Sequence, residues 1–280
     1  MSWISRHHVE NADPVVDFEG DGWSRYLRIA GKRAFLIGGS CETCAFVFER
    51  IDSHRLSPQD VSEALATGQD PLDPDLIATL GRLLPTGDYA VADLTVTPSG
   101  VMPCDANDYF SHESIGLFGM PSYGGIPDNP RIPYWRATTM SLPDDTGERW
   151  ISRASTQRPS SPKRLFHFVI PMEPPAYLDL ERIEHYQALI ADGGRPLAFG
   201  IAVLDVRSPA VVPGDRADDP AYEYGEHWCL ATYLLDGHHK VEAAARAGTS
   251  VGLLTFIARD ASIASDADID AVVAALGGMP

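Results

Sequence analysis

The strongest constraint on the fold is an alternation of apolar runs with helix-forming segments in the C-terminal part of the chain. The runs "RLFHFVIPM", "LAFGIAVLDV", "HWCLATYLLD" and "SVGLLTFIA" are typical of buried strands. Between them, "DLERIEHYQALIADGG" places apolar residues at helical spacing between an Asp179 cap and Gly193, and "GHHKVEAAARAG" favours a second helix. Strands that alternate with helices predict the α/β (α+β) class.

The stretch "YLLDGHHKVEAAARAG" places an unusual group of residues where a strand run ends and a helix begins. Asp236 and Gly237 are followed by His238, His239 and Lys240 at the predicted helix start. The first backbone N–H groups of a helix lack partners within the helix, and its dipole favours an anion there. We therefore predict a phosphate site formed by these five residues, although a helix start with polar residues facing water has the same pattern. Asp236 is expected to cap the helix or to help hold Mg²⁺.

The order of elements around "DGHHK" resembles that of the ParB/sulfiredoxin superfamily, whose members open a helix with a G-x-H-R-like turn that holds nucleotide phosphates. The branch that contains the free serine kinases is the most similar, and the resemblance covers residues 165–260. It implies that ATP or another nucleoside phosphate binds at this turn together with Mg²⁺. It also implies that Glu173, in "FVIPMEPPAY", acts as general base and that His238 belongs to the catalytic site.

The sequence departs from this pattern at two positions. Sulfiredoxins carry their reactive cysteine where this chain has His238, so sulfinic acid reduction is not implied. Lys240 stands in place of the usual arginine and can hold a phosphate only as a point charge.

The remaining sequence predicts a second, smaller domain. Residues 1–150 read as a mixed α/β N-terminal domain with a C-x-x-C pair and an aromatic loop, residues 151–164 as a linker, and residues 165–280 as the ParB/sulfiredoxin-like nucleotide-binding domain. The segment from 103 to 162 is rich in Pro, Gly, Ser and aromatic residues, which is typical of binding loops or linkers.

The C-x-x-C pair, Cys41 and Cys44, has three interpretations. It could be a thioredoxin-like redox pair, since a strand leads into it. It could belong to a structural zinc site with Cys104 and a fourth ligand such as His112 or Asp105. The third interpretation is two packed thiols at a helix start.

The net charge and the hydropathy of the sequence disfavour some classes of binding partner. The formal net charge of −17 disfavours nucleic acid and anionic membrane surfaces, and the sequence contains no run of 18 apolar residues and no leader-like start. We expect a cytoplasmic protein that binds a nucleotide and a small-molecule substrate and that could form a homodimer.

These features together predict a nucleotide-dependent phosphotransferase or a related nucleotide-using enzyme, such as a small-molecule kinase or a nucleotide hydrolase. Two alternatives stay open. The first is a non-catalytic nucleotide-sensing module, and the second is a zinc or thiol protein centred on Cys41 and Cys44.

Overall fold

The computed structural model describes residues 4–22, 24–38, 47–51, 61, 70–101, 134–142, 163–173, 177–207 and 227–277. In these ranges the chain forms twelve strands and four helices. Their order is β1 (Ile4–Val9), β2 (Val16–Asp21), β3 (Ser24–Ile29), β4 (Lys32–Gly38), β5 (Val47–Arg50), α1 (Pro74–Gly81), β6 (Gly87–Val96), β7 (Ser99–Val101), β8 (Tyr134–Leu142), β9 (Lys163–Pro171), α2 (Leu180–Ala191), β10 (Leu197–Arg207), β11 (His227–Asp236), α3 (His238–Ala247), β12 (Val251–Ala258) and α4 (Asp266–Gly277).

Eight of these strands form one mixed sheet in the order β1-β6-β12-β10-β11-β9-β8-β7. The pairs β9–β11 and β10–β12 are parallel, and the other neighbours are antiparallel. Because β9 and β11 run in the same direction, their carboxyl ends lie at the same edge of the sheet. The helix that follows each of these strands, α2 or α3, also begins at that edge.

One face of the large sheet packs against a second, antiparallel sheet of four strands in the order β2-β3-β4-β5. Phe166, Phe168 and Phe256 contribute from the large sheet, while Leu27 and Phe35 contribute from the small one. Helix α1 completes this layer through its buried leucine and isoleucine side chains.

Helices cover the opposite face of the large sheet. Val241 and Ala244 of α3 and Ile269 and Val273 of α4 join the same apolar cluster as the residues of this face. Strand β12 is consequently buried along its whole length, which explains its almost uninterrupted apolar sequence.

A buried ion pair joins the two sheets. Arg25 of β3 donates from Nη2 to Oδ2 of Asp205 of β10 at 2.5 Å, and from Nη1 to the carbonyl oxygen of Ala261. Both charged side chains are almost fully buried, at 3% and 1% exposure. Burial raises the pKa of Asp205, while the neighbouring Arg25 guanidinium opposes that rise. The pair therefore links the small sheet to the large one within an otherwise apolar contact.

The structure confirms the predicted elements of the C-terminal part. Helix α2 has Asp179 as its N-cap, with Oδ1 accepting from the N–H of Glu181 at 2.9 Å. Gly193 follows the helix with a φ of 85°. The whole described fold is a mixed α/β structure, compatible with the α+β class.

Strands from both sides of the predicted domain boundary belong to the large sheet. Strands β1, β6, β7 and β8 from residues 1–150 hydrogen-bond into the same sheet as β9 to β12. Strand β6 pairs with β12 from Tyr89 to Val96, and β8 pairs with β9. The large sheet is therefore continuous across the predicted boundary at 151–164, of which only residues 163 and 164 are described.

Candidate functional site

Two helix N-termini meet at the carboxyl ends of β9 and β11. Helix α3 begins directly after β11, and α2 begins after the loop that follows β9. The two starts are connected, since Nε2 of His239 accepts a hydrogen bond from the N–H of Asp179 at 3.0 Å. Helix N-termini carry partial positive charge, so this edge of the sheet favours an anion.

Gly237 sets the direction in which α3 leaves β11. Its φ is 95°, in the left-handed region that favours glycine. A Cβ at this position would lie 2.7 Å from Cβ and 2.8 Å from Cα of Ala198, so no larger residue fits. The turn therefore requires glycine on both conformational and steric grounds.

Helix α3 has no side-chain cap. Gly237 occupies its N-cap position, and no side chain hydrogen-bonds there. Asp236 does not cap the helix as one prediction held, because its Oδ2 accepts instead from Nζ of Lys240 at 3.1 Å. The start of α2, in contrast, is capped by the carboxylate of Asp179.

The two predicted histidines contact the main chain of the loop between β9 and α2. Nε2 of His238 accepts from the N–H of Met172 at 2.9 Å and from that of Glu173 at 3.1 Å. His238 and His239 are buried, with 5% and 8% exposure. Contact between either Nε2 atom and a ligand would require these hydrogen bonds to break. The imidazoles thus hold the loop in place, and His238 fixes the backbone of Glu173 beside the start of α3.

Lys240 is anchored on the first turn of α3. Its Nζ donates to the carbonyl oxygen of Leu197 at 2.8 Å and to Asp236, and it lies 5.9 Å from the centre of the Tyr186 ring. These two hydrogen bonds use two of the three N–H bonds of the ammonium group. The third can donate to a ligand oxygen at the same edge.

The structure thus brings the predicted residues Glu173, Asp236, Gly237, His238, His239 and Lys240 to one edge of the sheet. We call Asp236 to Lys240 the Gly237 junction. Its formal side-chain charge is balanced, because the Lys240 ammonium faces the Asp236 carboxylate. The first backbone N–H groups of α3 have no side-chain cap, and the backbone N–H of the half-buried Glu173 lies beside them on Nε2 of His238.

The predicted ligands of this edge are a nucleoside phosphate and Mg²⁺, and the groups present are a helix start and carboxyl-bearing residues. The uncapped start of α3 suits phosphate oxygens. Asp236 and Glu173 are the carboxylates at hand for Mg²⁺, and Asp236 is already shared with Lys240. Across the described ranges, no group of three or more His, Cys, Asp or Glu residues is arranged to hold a metal ion. The predicted zinc ligands Cys41, Cys44 and Cys104 lie outside these ranges, as do His112 and Asp105.

Comparison with known proteins found no relative of this chain. A scan against protein-family models, a search of curated proteins and a search of solved structures each found no match for this chain. The resemblance to the ParB/sulfiredoxin superfamily therefore rests on the "DGHHK" motif and the order of elements. No helix in the described ranges is long and apolar enough to cross a membrane.

Sequence reasoning missed the contacts that organise this edge. The hydrogen bonds that His238 and His239 accept from backbone N–H groups 60 or more residues away have no local signature in the sequence. A further link joins α3 to β8, where Nε1 of Trp135 donates to Oε2 of Glu242 at 3.1 Å. The available signal was the placement of two histidines and a lysine at a helix start, where Ser, Thr, Asn or Asp caps are usual.

Proposed function

We propose that this chain binds a nucleoside phosphate, such as ATP, at the Gly237 junction and transfers a phosphoryl group to a hydroxyl group of a small molecule. One observation carries the proposal: the uncapped N-terminus of α3 lies beside Glu173, whose backbone is hydrogen-bonded to His238. Phosphoryl transfer depends mainly on positioning and on neutralising charge, and a helix start next to a carboxylate supplies both kinds of group.

The proposal gives each residue a separate role. The backbone N–H groups at the start of α3 and the third N–H of Lys240 contact phosphate oxygens, and Asp236 keeps Lys240 in place. Mg²⁺, bound with the nucleotide, would neutralise part of its charge, with the Asp236 carboxylate as the protein ligand. Glu173 accepts the proton of the acceptor hydroxyl. His238 is a positioning residue, because its contact with the site is the backbone of Glu173.

A non-catalytic nucleotide-sensing module is the second candidate. It is favoured because the side-chain groups that could stabilise a transferring phosphoryl group already form hydrogen bonds within the protein. The Nε2 atoms of His238 and His239 accept backbone N–H groups, and two of the three Lys240 donors are engaged. Such a module would bind nucleotide without consuming it. The zinc or thiol alternative depends on residues outside the described ranges.

Thermal unfolding with nucleotides tests binding. ATP, ADP, CTP and GTP with Mg²⁺ are added to the wild type, to Lys240→Ala and to Lys32→Ala, an exposed lysine on β4 that serves as the control. A ligand at one hundred times its Kd stabilises the folded state by about 2.7 kcal/mol. We expect this stabilisation in the wild type and in Lys32→Ala, and a smaller one in Lys240→Ala. No stabilisation by any nucleotide would contradict the proposal.

Glu173→Gln separates the two candidates, because glutamine keeps the shape of the side chain but cannot accept the proton. For an enzyme, we expect the wild type to consume ATP in a single-turnover assay with a pool of small hydroxyl compounds, and Glu173→Gln to bind ATP without consuming it. A wild type that binds nucleotide but never consumes it would favour the sensing module.

A further inference from the structure

An exposed apolar patch lies at the start of α2, beside the Gly237 junction. Across the described ranges, three large apolar side chains are at least half exposed: Ile51 at 50%, Tyr177 at 51% and Leu180 at 60%. Tyr177 and Leu180 flank Asp179, the N-cap of α2, whereas Ile51 follows β5 of the small sheet. We call Tyr177 and Leu180 the α2 patch. Single exposed apolar residues are common on protein surfaces, but this pair adjoins a candidate ligand site.

A hydrogen bond limits the distance between the α2 patch and α3. Nε2 of His239 accepts from the N–H of Asp179 at 3.0 Å, and Leu180 is the next residue along the chain. Since consecutive Cα atoms are about 3.8 Å apart, the Cα of Leu180 lies within roughly 8 Å of that imidazole nitrogen. His239 belongs to the first turn of α3. The patch is therefore within reach of the base of a nucleotide whose phosphates contact the first N–H groups of α3.

The side of α2 that carries Leu180 runs alongside α3. The two helices pack against each other, and residues three apart are neighbours on a helix surface, so Leu180, Ile183 and Tyr186 follow one another along α2. Ile183 is fully buried, and the centre of the Tyr186 ring lies 5.9 Å from Nζ of Lys240 on α3. Leu180 is the first residue of α2 and continues this row beyond its buried part. Its exposed side chain consequently lies at the end of α2 that meets the start of α3.

The α2 patch supplies stacking surface and few hydrogen-bonding groups. A tyrosine ring and a leucine side chain can cover one face of a heteroaromatic base, and such stacking tolerates any base because each base has a π-face. Apart from the Tyr177 hydroxyl, the two side chains have no donor or acceptor that could recognise the edge of a base. Such a surface selects by ring area. It therefore favours the larger purines over pyrimidines and does not distinguish adenine from guanine.

We propose that the α2 patch binds the purine base of a nucleoside phosphate whose phosphates lie at the Gly237 junction. This inference rests on the proposed function, which supplies the phosphate end of the ligand. The base stacks on the Tyr177 ring and packs against the methyl groups of Leu180, and the ribose spans the space beside His239. The chain accordingly accepts ATP and GTP alike, and CTP is a weaker ligand.

Isothermal titration calorimetry of the full chain with Mg²⁺ tests the inference. The ligands are ATP, GTP, CTP and inorganic tripolyphosphate, which has the phosphates but no base. Each ligand is added to the wild type, to Leu180→Ala, to Tyr177→Ala and to Tyr177→Phe, which keeps the aromatic ring. Ile51→Ala is the matched control, because Ile51 is an exposed apolar residue outside the α2 patch. Thermal unfolding of each variant checks that the fold is intact.

We expect ATP and GTP to bind the wild type with affinities within about threefold of each other, and CTP and tripolyphosphate to bind about five- to tenfold more weakly than ATP. ATP binding should weaken about fivefold in Leu180→Ala and in Tyr177→Ala, whereas Tyr177→Phe and Ile51→Ala should bind like the wild type. Nuclear magnetic resonance spectra of the wild type should show nuclear Overhauser effects between the adenine protons and the Leu180 methyl protons.

The results separate this inference from the proposed function. The base site is overturned, while phosphate binding stands, if tripolyphosphate or CTP binds as tightly as ATP, if GTP binds far more weakly, or if Leu180→Ala and Tyr177→Ala bind ATP like the wild type. Adenine protons that contact other residues and not Leu180 overturn it as well. If neither ATP nor tripolyphosphate binds the wild type, the proposed function fails and this inference fails with it.

Discussion

Replacing His238 tests whether its imidazole holds the loop after β9. In the structure, Nε2 of His238 is the acceptor for the N–H groups of Met172 and Glu173. Met172 is 3% exposed, so its N–H would lose its partner in a site that water does not reach easily. An unsatisfied buried donor costs about 1–3 kcal/mol, and Glu173, which is half-buried, should contribute less. We expect His238→Leu to lower the free energy of unfolding by about 2–3 kcal/mol.

The matched control is His238→Gln. The glutamine side chain places a carbonyl oxygen near the position of Nε2 and can accept the same N–H groups. We expect it to keep at least half of the stability lost in His238→Leu. Equilibrium urea unfolding at pH 7 measures both changes. Equal losses in the two variants, or a loss below about 0.5 kcal/mol in His238→Leu, would refute the role of His238 as an acceptor.

Three further predictions concern stability. Asp205→Asn should lower the free energy of unfolding in urea by about 3–5 kcal/mol, because it leaves the charge of Arg25 buried without its partner. The double variant Arg25→Met/Asp205→Leu should recover much of that loss. A loss below about 1 kcal/mol in the single variant would argue against the buried pair. Burial lowers the pKa of His167 to about 3 from its ordinary 6.5, so the unfolded chain binds a proton between these values that the folded chain does not. Stability should therefore fall as the pH drops from 6.5 towards 3, with a contribution of up to about 1.4 kcal/mol per pH unit. That contribution should be absent from His167→Leu/Thr232→Val, which removes the imidazole and its hydroxyl partner together. Gly237→Ala should cost about 3 kcal/mol or more in thermal or urea unfolding, since it combines a positive φ with a steric clash; a near-neutral result would show that the turn relaxes easily.

The secondary structure of the C-terminal part was predictable because its signals are local. Apolar strand runs alternate with helix-forming segments, and Asp179 and Gly193 mark the ends of α2 where the structure places them. The joining of β6 to β12 was not predictable. Residues such as Val91 and Phe256 pair across more than 150 residues, and an apolar strand does not encode which other strand becomes its neighbour.

The sequence predicted where the residues of the candidate site lie along the strands and helices, but not which contacts their side chains make. The sequence placed Gly237 between a strand and a helix, and the structure shows that β11 enters α3 there with a φ of 95°. The resemblance also placed Glu173 shortly after a strand, and the structure has it two residues after the end of β9. The roles of His238 and Asp236 depend on tertiary contacts: the backbone of Met172 engages the imidazole, and Lys240 engages the carboxylate. Residue type and spacing alone do not distinguish such contacts from contacts with a ligand.

The most direct test of the central claim is to follow the backbone amides of His238, His239 and Lys240 by nuclear magnetic resonance while ATP and Mg²⁺ are added. If the start of α3 binds phosphate, these three amide signals should move together and saturate, and adenosine should not reproduce the effect. If the signals of residues 238–240 stay in place when ATP saturates the protein, or if ATP does not bind at all, the Gly237 junction is not a phosphate site.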